Sequence, residues 1–169
     1  MAEINRPISG DKPVLALDID GVFLVIAESC PQDYQPTSGQ TYEYYNPEHG
    51  QLIDRFSDDF ETYFLSKNHH NSYPQLSRLY RFREIGWIDD MPFEAQFGDL
   101  QHAKRGALDC YFAGRPVAWI DDETEPVDHA WAASRNEHTP TTLIKTVSTE
   151  GLQAGHIEQL YRWLGSLAV

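Results

Sequence analysis

Basic residues are scarce in this chain: 13 Lys and Arg stand against 26 Asp and Glu, a formal net charge of −13 over 169 residues. Nucleic acid and anionic lipid surfaces are both held through a basic face, so neither a polynucleotide nor a membrane is expected as a partner. Cysteine is scarcer still. Cys30 and Cys110 are the only two, and neither stands in a CxxC or His–Cys spacing. That excludes a sulfur-ligated zinc site and a disulfide framework, and a reduced, cytoplasmic setting is expected. Long apolar runs are missing too: the longest covers residues 22–27, far short of the roughly 20 residues of a membrane span. Residues 1–7 lack an apolar signal-peptide core, so a soluble, unexported protein is expected. No Gly-rich phosphate loop of the Walker or dinucleotide type occurs, and no nucleophile elbow surrounds Ser29 or Ser66, which argues against a serine hydrolase.

What is present suffices for an ordinary core. Hydrophobic residues make up 41% of the chain and aromatic residues 12%, with no internal repeat and no break into core-sized pieces. One domain over residues 1–169 is expected. Val14-Leu15-Ala16-Leu17 is a short continuous apolar run that suits a strand buried on both faces. Thr62-Tyr63-Phe64-Leu65, Val117-Ala118-Trp119-Ile120 and residues 141–145 read as further strands. Helical stripes fall at Leu52, Ile53 and Phe56; at Leu76, Leu79 and Tyr80, with Ser72 as cap, Pro74 in the first turn and Gly86 near the end; over residues 104–112, ended by Gly114; and at Ile157, Leu160, Tyr161 and Leu164. Strands alternating with helices predict an α/β fold with a mostly parallel sheet. Residues 28–50 form a polar excursion with Tyr42, Tyr44 and Tyr45, expected as a hairpin-like flap.

In open α/β sheets the chemistry sits outside the carboxyl ends of the strands. Here one strand runs into Asp18-Ile19-Asp20-Gly21, a second into Ser66, and a third into Asp121-Asp122. Asp18 and Asp20 flank one residue, so one carboxylate can face a metal while the other serves proton transfer, and Gly21 permits a sharp turn. Asp121 and Asp122 add hard oxygen donors, which favour Mg²⁺ over zinc. Either could be the direct ligand. Trp87-Ile88-Asp89-Asp90 repeats the Trp-Ile-Asp-Asp string and is an alternative acidic pair. Lys104, before the third strand, can supply positive charge. His69-His70 would diverge on a regular element and reads as a polar loop, and the other histidines are scattered.

In order, these segments resemble the four signature motifs of the haloacid dehalogenase superfamily, mostly phosphohydrolases: residues 14–22 with Asp18 and Asp20, then Ser66, then Lys104, then Ala118-Trp119-Ile120-Asp121-Asp122-Glu123. Residues 114–123, with Trp131-Ala132, residues 140–144 and Gly151-Leu152, also look like a group of small bacterial members. The second motif reads Ser66-Lys67-Asn68 where that group usually has Thr-Gly-Trp. The resemblance implies a Rossmannoid three-layer sandwich without a cap domain, the flap standing in its place. It implies that Asp18 is the phosphoryl-accepting nucleophile, Asp20 the general acid/base, Ser66 a phosphate contact and Lys104 the charge-compensating cation that also contacts phosphate. Asp18, Asp20, Asp121 and Asp122 would form the Mg²⁺ site. The implied substrate is a small phosphate ester. The alternative is an interaction protein that binds metal or accepts phosphate with little or no turnover.

Overall fold

The computed structural model describes residues 10, 12–37, 42–66, 69–82, 85–88 and 100–167, side chains excepted at 69–71 and 100–102. Its centre is a five-stranded sheet in the order β6-β5-β1-β7-β8. These strands are β1 (Val14–Leu17), β5 (Glu61–Phe64), β6 (Gly86–Trp87), β7 (Val117–Asp121) and β8 (Thr141–Lys145). All neighbouring pairs are parallel. The helices are α1 (His49–Asp59), α2 (His69–Tyr80), α3 (Leu100–Tyr111), α4 (Pro126–Asn136) and α5 (Ala154–Ser166). The architecture is Rossmann-like, as the alternation of strands and helices predicts.

The apolar runs of β1 and β7 become interior strands because helices cover both of their faces. Along β1, successive side chains point to opposite sides. Leu15 and Leu17 pack with Ile53 and Phe56 of α1, Leu76 of α2 and Leu160 of α5. Val14 and Ala16 pack with Ala107 and Leu108 of α3, Trp119 of β7 and Ala132 of α4. A buried ion pair between Arg105 and Asp128 ties α3 to α4, and the second Asp128 oxygen accepts from the Glu125 N–H at the start of α4. Among the described residues no helix is long and apolar enough to cross a membrane.

Several local readings need correction. The helix expected to open near Pro74 begins at His69, so Pro74 lies inside it and Ser72 is not its cap. The Ser72 hydroxyl is turned instead toward Asp20. Gly86 does not close that helix. It belongs to β6, whereas the helix stops before Arg81, which adopts φ 50°. The excursion is not a simple hairpin. β2 (Leu24–Ile26), β3 (Gln35–Pro36) and β4 (Glu43–Tyr45) form an antiparallel sheet with β4 central, while His49 and Gly50 already belong to α1. Tyr44 packs with Val25 and Tyr34 inside this sheet, and Tyr45 sits edge-on against Tyr80. Of the flap tyrosines Tyr42 is the exposed one, at 59%.

Candidate functional site

Register brings the acids together. Leu17 of β1 stands level with Phe64 of β5 and Ile120 of β7, so the next residues of all these strands emerge at one edge. The Asp18 N–H donates to the Ile120 carbonyl at 2.9 Å, and the Leu65 N–H donates to the Leu17 carbonyl at 2.8 Å. Asp18, Ser66 and Asp121 are each buried there, at 5%, 2% and 0% exposure. Interior strands buried on both faces leave their carboxyl ends as the place where polar side chains can gather, and that topology accounts for the convergence.

Chain geometry after β1 is tight. The Ile19 carbonyl accepts from the N–H groups of Val22, Phe23 and Leu24, and Gly21 donates to the Leu24 carbonyl at 2.7 Å. Gly21 has φ 70°, and any side chain added there would overlap the Asp122 carboxylate. Glycine is therefore required both by the backbone angle and by the approach of Asp122.

Lys104 lies within α3 and not at its start, because the helix begins at Leu100. This places its side chain under the strand ends, 1% exposed. Its Nζ donates to Asp18 Oδ2 and to Asp121 Oδ2, each at 2.6 Å. Asp121 Oδ2 also accepts from the Trp119 indole at 3.2 Å, and Oδ1 from the Glu123 N–H at 2.8 Å. Asp18 Oδ1 accepts from the Ile19 N–H at 2.7 Å. Asp122 is the least satisfied: its Oδ1 is buried with no hydrogen-bond partner.

The electrostatics follow from this crowding. Burial by itself would lower the Lys104 ammonium, but Asp18 and Asp121 outweigh it and hold the group above the usual lysine range. Burial pushes the Asp121 carboxyl up, Lys104 opposes this, and the Asp18 charge adds to it. Asp122 is pushed up to about 6, by burial first and by Asp18 second. Carboxylate oxygens of Asp18, Asp121 and Asp122 lie within 4.8 Å of one another, a group that could hold a metal ion. Among the described residues, these carboxylates exceed the ammonium of Lys104 that pairs with them by two formal charges. A divalent cation matches that excess, and the unpartnered Asp122 Oδ1 is the oxygen most in need of it.

Asp20 stands apart from this set. Its carboxylate lies against the Ser72 hydroxyl, at 3.4 and 3.5 Å. Lys67, Asp89 and Asp90 lie outside the described residues, as do the side chains of His69 and His70. Thr146, which no sequence motif marks, also supports the site. The Thr146 hydroxyl donates to the Gly21 carbonyl at 3.0 Å, and its N–H donates to the Asp121 carbonyl at 3.1 Å, joining the loop after β8 to both acid-bearing turns. Its place one residue past β8 was the available signal.

Comparison of the chain with known protein families, with curated proteins and with solved structures finds no match.

Proposed function

We propose that this protein is a Mg²⁺-dependent phosphohydrolase of the haloacid dehalogenase type, acting on a small phosphate ester through an aspartyl-phosphate at Asp18. The observation that supports this best is the shared ammonium: Lys104 donates at 2.6 Å to both Asp18 and Asp121, beside a third carboxylate with an unpartnered oxygen. An anionic nucleophile attacking an anionic phosphate needs local positive charge, and in a chain of net charge −13 that charge must be built into the site.

In this reading the Asp18 carboxylate attacks phosphorus and the ester oxygen departs, taking a proton from Asp20. Water then attacks the phosphoryl group while Asp20 takes the proton back, and the Asp18 carboxylate is released with inorganic phosphate. Splitting the transfer in this way replaces one difficult step with two easier ones. Lys104 offsets the charge on the phosphoryl oxygens, and the buried Ser66 hydroxyl contacts them. Asp18, Asp121 and Asp122 would hold Mg²⁺, which supplies further charge neutralisation when bound, and Asp20 would complete its surroundings.

One observation favours a second reading. Asp20 leans on Ser72 and is outside the carboxylate set, which suits a domain that accepts phosphate at Asp18 and turns over slowly. Phosphate release from p-nitrophenyl phosphate, with and without Mg²⁺, separates the two. Steady Mg²⁺-dependent turnover, abolished in Asp18→Asn with the fold retained, supports the hydrolase. A stoichiometric burst without turnover supports the phospho-acceptor. Mg²⁺ binding without any covalent phosphate or release from a broad ester panel would defeat both and leave a non-catalytic metal-binding protein.

A further inference from the structure

Helix α5 opens on an imidazole. The N–H of Gln153, the residue just before its first turn, donates to His156 Nδ1 at 3.0 Å. In a capping box this position, three residues into the helix, carries Glu or Gln, whose side-chain oxygen accepts the same N–H at any ordinary pH. A histidine there accepts it only while the ring is neutral, because an N–H donates to a lone pair and a protonated imidazole has none. A second proton would also set positive charge at the positive end of the helix dipole.

Gln153 joins α5 to a segment on which three parts of the fold converge. The Leu152 N–H donates to the Val22 carbonyl at 2.9 Å, in the turn after β1, and the Gly151 N–H donates to the Val147 carbonyl at 2.8 Å. Gly151, at φ 69°, lies so close to Tyr34 and to Val25 of β2 that a side chain there would overlap both. The His49 ring of α1 bonds to the Leu152 backbone, and the Leu152 side chain is buried in one cluster with Val22 and Phe23. The Gln153 side chain closes the segment on itself, its Nε2 donating to the Glu150 carbonyl at 2.6 Å. His156 therefore pins the residue next to the one that braces the turn carrying Gly21.

The surrounding charges set when the ring changes state. Burial holds His156 below the usual histidine range, and the Glu150 carboxylate opposes this. The neighbouring elements bring further charges to a cavity of about 540 Å³ beside the start of α5: Asp33 from the small-sheet side, Glu48 at the cap of α1 and Arg55 within it. Asp33 and Glu48 act in the same sense as Glu150, and Arg55 acts against them. His49, at the inner end of the same junction, is 4% exposed, whereas His156 is half-buried. Burial lowers both, so as pH falls the less buried His156 takes up its proton first.

We propose that His156 is an acid-sensitive latch: on taking up a proton in mildly acid solution its ring releases the Gln153 N–H, the first turn of α5 opens, and residues 147–153 loosen their hold on the turn after β1. The latch does not depend on any chemistry at Asp18. Nuclear magnetic resonance of the isotope-labelled full chain between pH 8 and pH 4 tests it. The Gln153 amide and the His156 ring should shift together, with one midpoint below the ordinary histidine value of 6.5. Protection of the Gly151 and Leu152 amides from hydrogen exchange, corrected for the intrinsic effect of pH, should fall about tenfold for each unit by which that midpoint lies below 6.5. His156→Gln keeps an acceptor that does not titrate, so in this variant Gln153 should stay fixed and the two amides should stay protected through the same range. His49→Phe should retain the transition, which assigns it to His156. The proposal is overturned if the Gln153 amide does not follow the His156 ring, if the shared midpoint is 6.5 or higher, or if His156→Gln loses protection as the natural chain does. The first two results are read from the natural chain alone, so they decide the matter even where the variant fails to fold.

Discussion

Replacing Lys104 with Met keeps an unbranched side chain one atom shorter and removes its charge, so it tests whether the ammonium holds the acidic cluster together. The ammonium is 1% exposed, and its partners Asp18 and Asp121 have side chains 7% and 0% exposed. Removing one member of a buried ion pair costs about 3–5 kcal/mol, because the remaining charge is left in a poor dielectric without compensation. Here the loss leaves Asp18, Asp121 and Asp122 crowded within 4.8 Å without the ammonium that pairs with two of them. For a chain of this size each kcal/mol moves the melting temperature by about 2–4 °C, so Lys104→Met should melt roughly 6–20 °C lower in EDTA. Added Mg²⁺ should narrow the gap, since a ligand at about a hundred times its Kd stabilises by about 2.7 kcal/mol and the variant's carboxylates have lost their competing ammonium. Phosphate release should be lost while the response to Mg²⁺ remains. Equal melting temperatures of variant and natural chain in EDTA would refute the reasoning, and so would a Mg²⁺ response absent from both.

Other perturbations probe separate links. Gly21→Ala forces a side chain into φ 70° and against Asp122; the backbone part alone costs about 1–2 kcal/mol, and Mg²⁺ affinity measured by calorimetry should fall with it. Asp122→Ala should raise the Mg²⁺ concentration needed for half-maximal phosphate release. An unchanged requirement would mean that the metal is held elsewhere, with Asp89 and Asp90 next to be tested. His49 stays neutral in the fold down to about pH 4, whereas the unfolded chain takes up that proton near pH 6.5. Stability is therefore present above pH 6.5 and lost as pH falls toward 4, by about 3 kcal/mol in all. Urea unfolding of the natural chain and of His49→Phe should diverge by that amount across the window, and parallel curves would contradict the burial argument. Tyr42→Ser should shift relative rates among esters of different size without affecting Mg²⁺ binding. Deleting much of the flap should instead destabilise the chain, because Tyr34 and Tyr44 are core residues of the small sheet.

Local pattern carried four of the five strands of the parallel sheet and four of the five helices around it; β6, only two residues long, and α4 were not marked by it. A strand buried on both faces must be apolar throughout, which makes residues 14–17 and 117–120 visible as strands, and the 3.6-residue stripe of α5 is equally visible. Acids at strand ends were visible for the same reason: the apolar run stops at the carboxyl end of each strand, where polar side chains gather. Lys104 was legible only by its order in the chain, because a lysine on a helix is ordinarily solvated, and its burial depends on α3 beginning four residues earlier than the pattern shows.

Tertiary structure alone decided the rest. Helix and strand periods say nothing about which turns meet. Tyr44 became core and Tyr42 surface through pairing within the small sheet, and Ser72 exchanged a capping role for a contact with Asp20, 52 residues away. Thr146 joins two turns from opposite parts of the chain. The cavity lined by Tyr34, His49 and Gln153 arises where the segment 32–55 meets residues 152–157, about a hundred positions later in the chain. Residue type and spacing encode the short-range preferences of backbone and burial, whereas long-range contacts are set by how whole layers pack. That is why the acids could be read along the chain, and contacts between its distant segments could not.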